Sequence, residues 1–383
     1  YFMEVFHFGA GSIGRGFIGK ILFENSYNVT FIDVNKEMIE QLNKDNEYEV
    51  ETVGFNRKIE VVKNVNGILS SDIDKIKKEC INKNLITTAV GANILEIIAP
   101  VIAEIIKERK EKNISEFLNV IACENKLNAS TFLKSKVKEY FNDTENEYLE
   151  TYVGFVNSAV DRLIPPRKIE GEKITYTIVE EFHEWIVDET LIKGDLSLEG
   201  MIKTKTLFPY IERKLFTVNT GHIIAAHMGF YESHETIDEA VLDEKVRKIV
   251  IGAMEESGAV LIKRYNFDEA EHEKYIKKII KRFENKYLGD TTVRVGREPI
   301  RKLGINERLT RPLLGTIEYN ISNENLVKGI AYLLKFDVNT DEESVKLQKE
   351  IKDNGVEKTL RRVTEDKLSD EVIQKIITYY ETL

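Results

Sequence analysis

Two cysteines in 383 residues, Cys80 and Cys123, exclude a disulfide framework and offer no pair at zinc-ligand spacing. Both read as reduced, buried thiols. Six prolines, and no stretch rich in proline, glycine or serine, leave no flexible linker and no low-complexity segment. No run of about twenty apolar residues occurs, so no membrane span is expected. The first residues lack a basic segment followed by an apolar one, so no signal peptide is expected and a cytoplasmic location is. Basic charge is in deficit: 55 Lys and Arg against 65 Asp and Glu give a formal net charge of −10. A nucleic-acid partner, which would need a basic face to neutralise phosphates, is therefore not expected.

What is present suits an ordinary globular chain. Hydrophobic residues make up 42% of it and mean hydropathy is −0.30. The length allows two domains. Through the first half, short β-rich runs alternate with helical stretches. Strands are expected at 4–8, 29–33, 85–90 and 118–123, with a β-rich excursion at 50–60. Helices are expected at 14–24, 36–44, 94–108 and 129–140. Strands separated by helices predict an α/β class, a Rossmann-type doubly wound parallel sheet. The run 174–180 is the last clear strand. Helices follow at 206–231, 243–257, 268–283, 325–334, 341–354 and 369–381, so a mainly α-helical C-terminal domain is expected. The boundary is placed near 195, giving domains 1–195 and 196–383.

The most specific local feature is Phe8-Gly9-Ala10-Gly11-Ser12-Ile13-Gly14, which follows a strand and opens a helix. Gly9 permits a sharp turn, Gly11 lets the backbone approach a pyrophosphate, and Gly14 lets helix and strand pack closely. The helix N-terminus supplies free N–H groups to the phosphates. Asp33, at the end of the next strand, can accept hydrogen bonds from ribose hydroxyls and would repel a 2′-phosphate, so NAD is the expected cofactor rather than NADP.

Oxidation of an alcohol needs a base for the hydroxyl proton and donors for the oxygen as charge develops. The six histidines, His7, His183, His222, His227, His234 and His272, include no metal-binding spacing, and no metal is expected. The stretch 213–222 instead carries Lys214, Asn219 and His222. On an α-helix these fall at 0°, about 140° and about 80°, a broad shared face. A lysine in a low-dielectric pocket beside another cation can serve as a base. By spacing alone, the same pattern also describes surface groups on an amphipathic helix. Further along, Arg294, Arg297, Arg301, Lys302, Arg308 and Arg311 crowd together in an acidic protein and suit a phosphate, or else a solvated, ion-paired loop. Glu124 and Asn125, after a strand's C-terminal end, either line the ligand cleft or cap the next helix.

Together the segments HFGAGSIGRGFIG (7–19), TTAVG (87–91), ACEN (122–125), VGFVNSAVDRLIPP (153–166), EWIVD (184–188), ERKLFTVNTGH (212–222), GAMEESGAVLIKRY (252–265) and RKLGINERLTRPLLG (301–315) resemble the mannitol-1-phosphate 5-dehydrogenase family, within the polyol-specific long-chain dehydrogenases. The resemblance spans essentially the whole chain. It implies NAD-dependent, metal-free interconversion of D-mannitol 1-phosphate and D-fructose 6-phosphate by a monomer or homodimer. It assigns Lys214 as acid/base, Asn219 as oxyanion donor and His222 as the residue positioning the substrate. A further oxyanion asparagine falls on Asn157. Asp161 and Arg162 are expected to anchor their segment through a buried ion pair.

Overall fold

The computed structural model of the protein describes residues 2–166 and 170–383. It divides into two units, Tyr1–Leu207 and Phe208–Leu383.

Twelve strands run in chain order among the described residues: β1 (Met3–Phe8), β2 (Tyr27–Asp33), β3 (Glu47–Val53), β4 (Lys58–Lys63), β5 (Val65–Leu69), β6 (Leu85–Thr88), β7 (Leu118–Ala122), β8 (Val153–Phe155), β9 (Ser158–Asp161), β10 (Thr177–Glu180), β11 (Glu184–Asp188) and β12 (Ile202–Thr204). Six of them form one sheet in the order β5-β2-β1-β6-β7-β8. Every pairing in it is parallel. This is the doubly wound order expected of a dinucleotide-binding domain, and its direction of winding reverses between β1 and β6.

The central strands are buried on both faces, as a helix-covered parallel sheet requires. Val5, Val29, Phe31 and Ile121 face one core with Leu22 and Trp185. Phe6, Phe8, Ile32 and Val120 face the other with Ile98, Ile102 and Ile106. Two small sheets, β10-β3-β4 and β12-β11-β9, complete the first unit.

Four expectations change here. The helix at 14–24 begins as a π-helix over Gly14–Ile18 before turning α over Gly19–Glu24. The excursion at 50–60 is a longer antiparallel hairpin, β3 with β4. Nor is 174–180 the last strand. β11 follows it, its Trp185, Ile186 and Val187 too short an apolar run to read as a strand without its partner β9. β12 pairs with β11 in turn. That pairing keeps residues 202–204 in the first unit, so the division falls after Leu207, later than the boundary placed near 195.

The second unit is helical. Its axis is the helix Thr220–Tyr231, in which Ile223, Ile224, Ala225, Ala226 and Met228 are all fully buried. A helix apolar all round must sit inside others, and the long helix Glu244–Tyr265 and the helix Glu324–Leu334 both pack on it.

Candidate active site

The glycine turn lies where the sheet's winding reverses. Gly9 has φ +99°, and a Cβ on it would lie 2.3 Å from the Ala89 carbonyl oxygen, so only glycine fits. A Cβ on Gly14 would meet the Gly9 carbonyl at 2.1 Å. Gly11 differs: a Cβ there would meet no protein atom within 4 Å. Protein packing does not demand that glycine, whereas close approach of a ligand to the backbone would. The side chain of Phe8 is buried in the core, so only its main chain reaches the turn. Ser12 and Ile13 are half-buried.

Asp33 is tied to the turn. Its Oδ2 accepts from the Ala10 N–H at 2.6 Å and its Oδ1 from the Asn35 N–H at 2.8 Å. Sequence reading gave Arg15 no role beyond the family signature. Arg15 donates from Nε to the Ala10 carbonyl at 2.8 Å and from Nη1 to the Thr175 carbonyl, and so braces the turn from below. Burial pushes this guanidinium down to about 10 despite the nearby Tyr48 and Asp33.

Of the remaining first-unit candidates, Glu124 is buried and holds the loop after β6. It accepts from the Thr88 hydroxyl at 3.0 Å, from the Val90 N–H at 3.1 Å and from the Gly91 N–H at 3.0 Å. Burial raises its carboxyl above the usual range, and those donors pull it back in part. Asn125 is exposed. The carboxamide of Asn157 is tied to Thr131, accepting from its N–H at 3.0 Å and donating to its hydroxyl at 2.8 Å. The guanidinium of Arg162 is bound by main-chain carbonyls rather than by Asp161: Glu180 at 2.7 and 3.0 Å, Gly16 at 3.2 Å.

In the second unit, Lys214 ends the helix Phe208–Lys214, Asn219 ends a π-helix over Leu215–Asn219, and His222 lies in the first turn of Thr220–Tyr231. The α-helical wheel angles therefore do not apply. A π turn closes i to i+5, which brings Asn219 over Lys214 much as an α-helix brings i+4 over i. In a stretch that is otherwise largely buried, Lys214, Asn219 and His222 are all half-buried. The Asn219 carboxamide has no hydrogen-bond partner among the described residues.

His222 stacks on Phe283, with ring centroids 5.0 Å apart and planes 13° apart. Its Nε2 stands 3.5 Å from Oδ2 of the buried Asp290. Burial first, then the charges of Arg282, Arg294, Arg308 and Lys302, push the imidazole well below its ordinary value. Arg294 is paired to the other oxygen of Asp290.

The structure sorts the cations expected to crowd here. Arg301 is paired with Glu298 at 2.9 Å and Glu307 at 3.4 Å, and Arg311 with Glu212 at 2.9 Å. Arg297 is exposed and without a carboxylate partner among the described residues. Arg294, Lys302 and Arg308 act on His222, joined by Arg282, which sequence reading missed because it lies outside 294–311. Lys302 is buried, donates to the Val295 carbonyl at 2.8 Å, and is lowered to about 8 by burial and by its arginine neighbours. Glu212 and Asp290 were also missed. Each is one acidic residue among many, and only its burial marks it.

Residues 3–200 match the model of the mannitol dehydrogenase Rossmann domain and residues 206–383 that of the mannitol dehydrogenase C-terminal domain. Among solved structures, a D-sorbitol dehydrogenase in substrate-free form is similar at a TM-score of 0.85 and 15% identity, covering 98% of this chain and 92% of that one. A Pseudomonas fluorescens mannitol 2-dehydrogenase, in ternary complex with NAD and D-mannitol, is similar at a TM-score of 0.69 and 15% identity, covering 100% and 92%. At that identity the likeness speaks for the fold.

Proposed function

The chain belongs to the mannitol dehydrogenase family, and we propose that it is an NAD-dependent, metal-free oxidoreductase interconverting D-mannitol 1-phosphate and D-fructose 6-phosphate, the reaction of a mannitol-1-phosphate 5-dehydrogenase. The observation that carries the phosphorylated substrate is the group Arg282, Arg294, Lys302 and Arg308, whose charges bear on His222 in a protein of net charge −10. Arg294 is paired with Asp290 and Arg308 with Glu307, and an anion would offset the positive charge that still bears on His222. Arginine suits the bidentate geometry of a phosphate.

The residues fit the cofactor. Gly11 leaves the turn open to a pyrophosphate, and Asp33 sets a carboxylate at the turn where a ribose would lie. A bound nicotinamide supplies the hydride acceptor or donor. In the oxidative direction Lys214 takes the proton of the C5 hydroxyl. Asn219, its amide uncommitted, donates to the oxygen as charge develops there. His222 holds a neighbouring hydroxyl. In reduction Lys214 returns the proton to the same oxygen.

The test is one NADH-consumption assay with fructose 6-phosphate and fructose, each with NADH and NADPH. Rapid turnover of fructose 6-phosphate with NADH, and little with fructose or NADPH, is the expected outcome. Equal turnover of fructose would assign an unphosphorylated polyol instead. NADH binding without turnover of either sugar would make the chain a binder rather than an enzyme.

A further inference from the structure

Asp290 is a buried carboxylate that none of the roles above uses. It is 5% exposed, and its Oδ2 has no hydrogen-bond donor at bonding distance among the described residues. Leaving a buried charged acceptor unpaired is costly, so such a group in a native fold calls for an explanation. The nearest candidate donor is Nε2 of His222 at 3.5 Å. That is a few tenths of an ångström beyond a made bond, and such bonds in unliganded sites commonly tighten when substrate enters.

The surroundings hold both partners in place. The main chain at Asp290 is pinned: its carbonyl accepts from the Ile237 N–H at 3.0 Å, and Thr291 bridges to Thr236. The Thr292 hydroxyl adds a bond to the His234 carbonyl at 2.9 Å. Arg294 engages Oδ1, which leaves Oδ2 to face His222. The near-parallel stack on Phe283 fixes the plane of the imidazole, leaving only a half-turn of the ring, and that half-turn would set the Cε1–H against Asp290 in place of nitrogen.

We propose that Asp290 is a positioning residue for His222: its Oδ2 holds the imidazole as the Nε2–H tautomer and leaves Nδ1 as an acceptor for a substrate hydroxyl. The inference rests on the reading of His222 as a substrate-holding residue. Because desolvation and the charges of Arg282, Arg294, Arg308 and Lys302 hold it well below its ordinary value, the ring is neutral near pH 7 and carries one N–H. Which nitrogen bears that hydrogen is set by the bond the other group offers. An acceptor at Nδ1 selects a hydroxyl on the substrate carbon it faces and discriminates against a second carbonyl there, since a carbonyl cannot donate.

The experiment records long-range ¹H–¹⁵N correlation spectra of the full chain with ¹⁵N-labelled histidine, assigned with a His222→Gln variant. The expected wild-type result near pH 7 is the Nε2–H form of His222. Asp290→Ala should turn this into the Nδ1–H form or a mixture. It should also lower kcat/KM for fructose 6-phosphate by about 10- to 100-fold, the loss of one charge-assisted bond, with NADH affinity unchanged. Asp290→Asn, which keeps an acceptor oxygen, should restore much of both. A wild-type His222 in the Nδ1–H form overturns the proposal, and so does an unchanged tautomer in Asp290→Ala. The wild-type spectrum decides even if the alanine variant does not fold. It also decides if fructose 6-phosphate proves not to be the substrate, a result that would overturn the functional reading alone.

Discussion

The hydroxyl of Thr220, the residue after Asn219, donates to the main-chain carbonyl of Arg308 at 2.5 Å. One buried side chain thus fixes the end of the π-helix to the segment that carries a cation acting on His222. Thr220→Val keeps the shape and removes the bond, leaving the Arg308 carbonyl short of a donor. The expected result is a loss of about 1–3 kcal/mol in stability by denaturant titration. A raised KM for the sugar phosphate at unchanged NADH affinity should accompany it. A variant with wild-type KM would deny the link.

Lys214→Ala should lower kcat by orders of magnitude while NADH binding, followed by fluorescence titration, stays close to wild type. Asn219→Ala should cost about 10²–10³ in kcat, the scale of one oxyanion donor. Near-normal turnover in either would reject its assigned role.

Two neighbouring glycines should answer differently to the same change. Gly9→Ala meets both a positive φ and a carbonyl at 2.3 Å, so it should destabilise or unfold the first unit. Gly11→Ala meets nothing within 4 Å. Its thermal melt should match wild type while the dissociation constant for NADH rises about tenfold or more, the new methyl standing where the pyrophosphate must approach. Unaltered NADH affinity in Gly11→Ala would remove the argument drawn from its open surroundings.

Glu212 is held between Arg264 and Arg311, with its side chain 1% exposed. Glu212→Ala removes the carboxylate shared by two part-exposed arginines, of which Arg264 keeps Glu318 and Arg311 loses its partner, a loss of about 1–3 kcal/mol. Because Glu212 shares a helix with Lys214, kcat should fall as well. The denaturation midpoint of the purified variant checks the first effect and a turnover assay the second.

His7 and His227 are both fully buried, and burial lowers each from 6.5 to about 3. The folded state leaves them neutral where the unfolded chain binds protons. Their contribution is therefore constant above about pH 7 and is lost as pH falls from about 6.5 towards 3, by about 1.4 kcal/mol per pH unit for each histidine. Melting temperatures from pH 4 to 8 should show that slope. His227→Gln should make it shallower by one proton, and a slope indifferent to the substitution would count against the assignment.

Much of this protein is written locally. A strand, a glycine turn and a helix within two dozen residues announce the dinucleotide fold, because each signal is a short-range preference of the backbone. The alternation of apolar runs announces the parallel sheet and the helical second half. The π-turn at 215–219 is not legible in that way, since the pattern fits an α-helix as well and only the packing around Phe216, Thr217 and Val218 selects the wider turn. The same holds for which charges matter. Arg294, Arg301, Lys302, Arg308 and Arg311 look alike in sequence. Glu212, from a distant helix, engages Arg311, and the nearby Glu298, Glu307 and Asp290 engage Arg301, Arg308 and Arg294. Arg294, Lys302 and Arg308 still bear on His222. Sequence by itself determined the residue types, the fold class and the cofactor turn. Tertiary structure decided which carboxylate each like-charged side chain meets and which of them bear on His222, because a charge's partner is set by distance in space and by burial, neither of which the chain records locally.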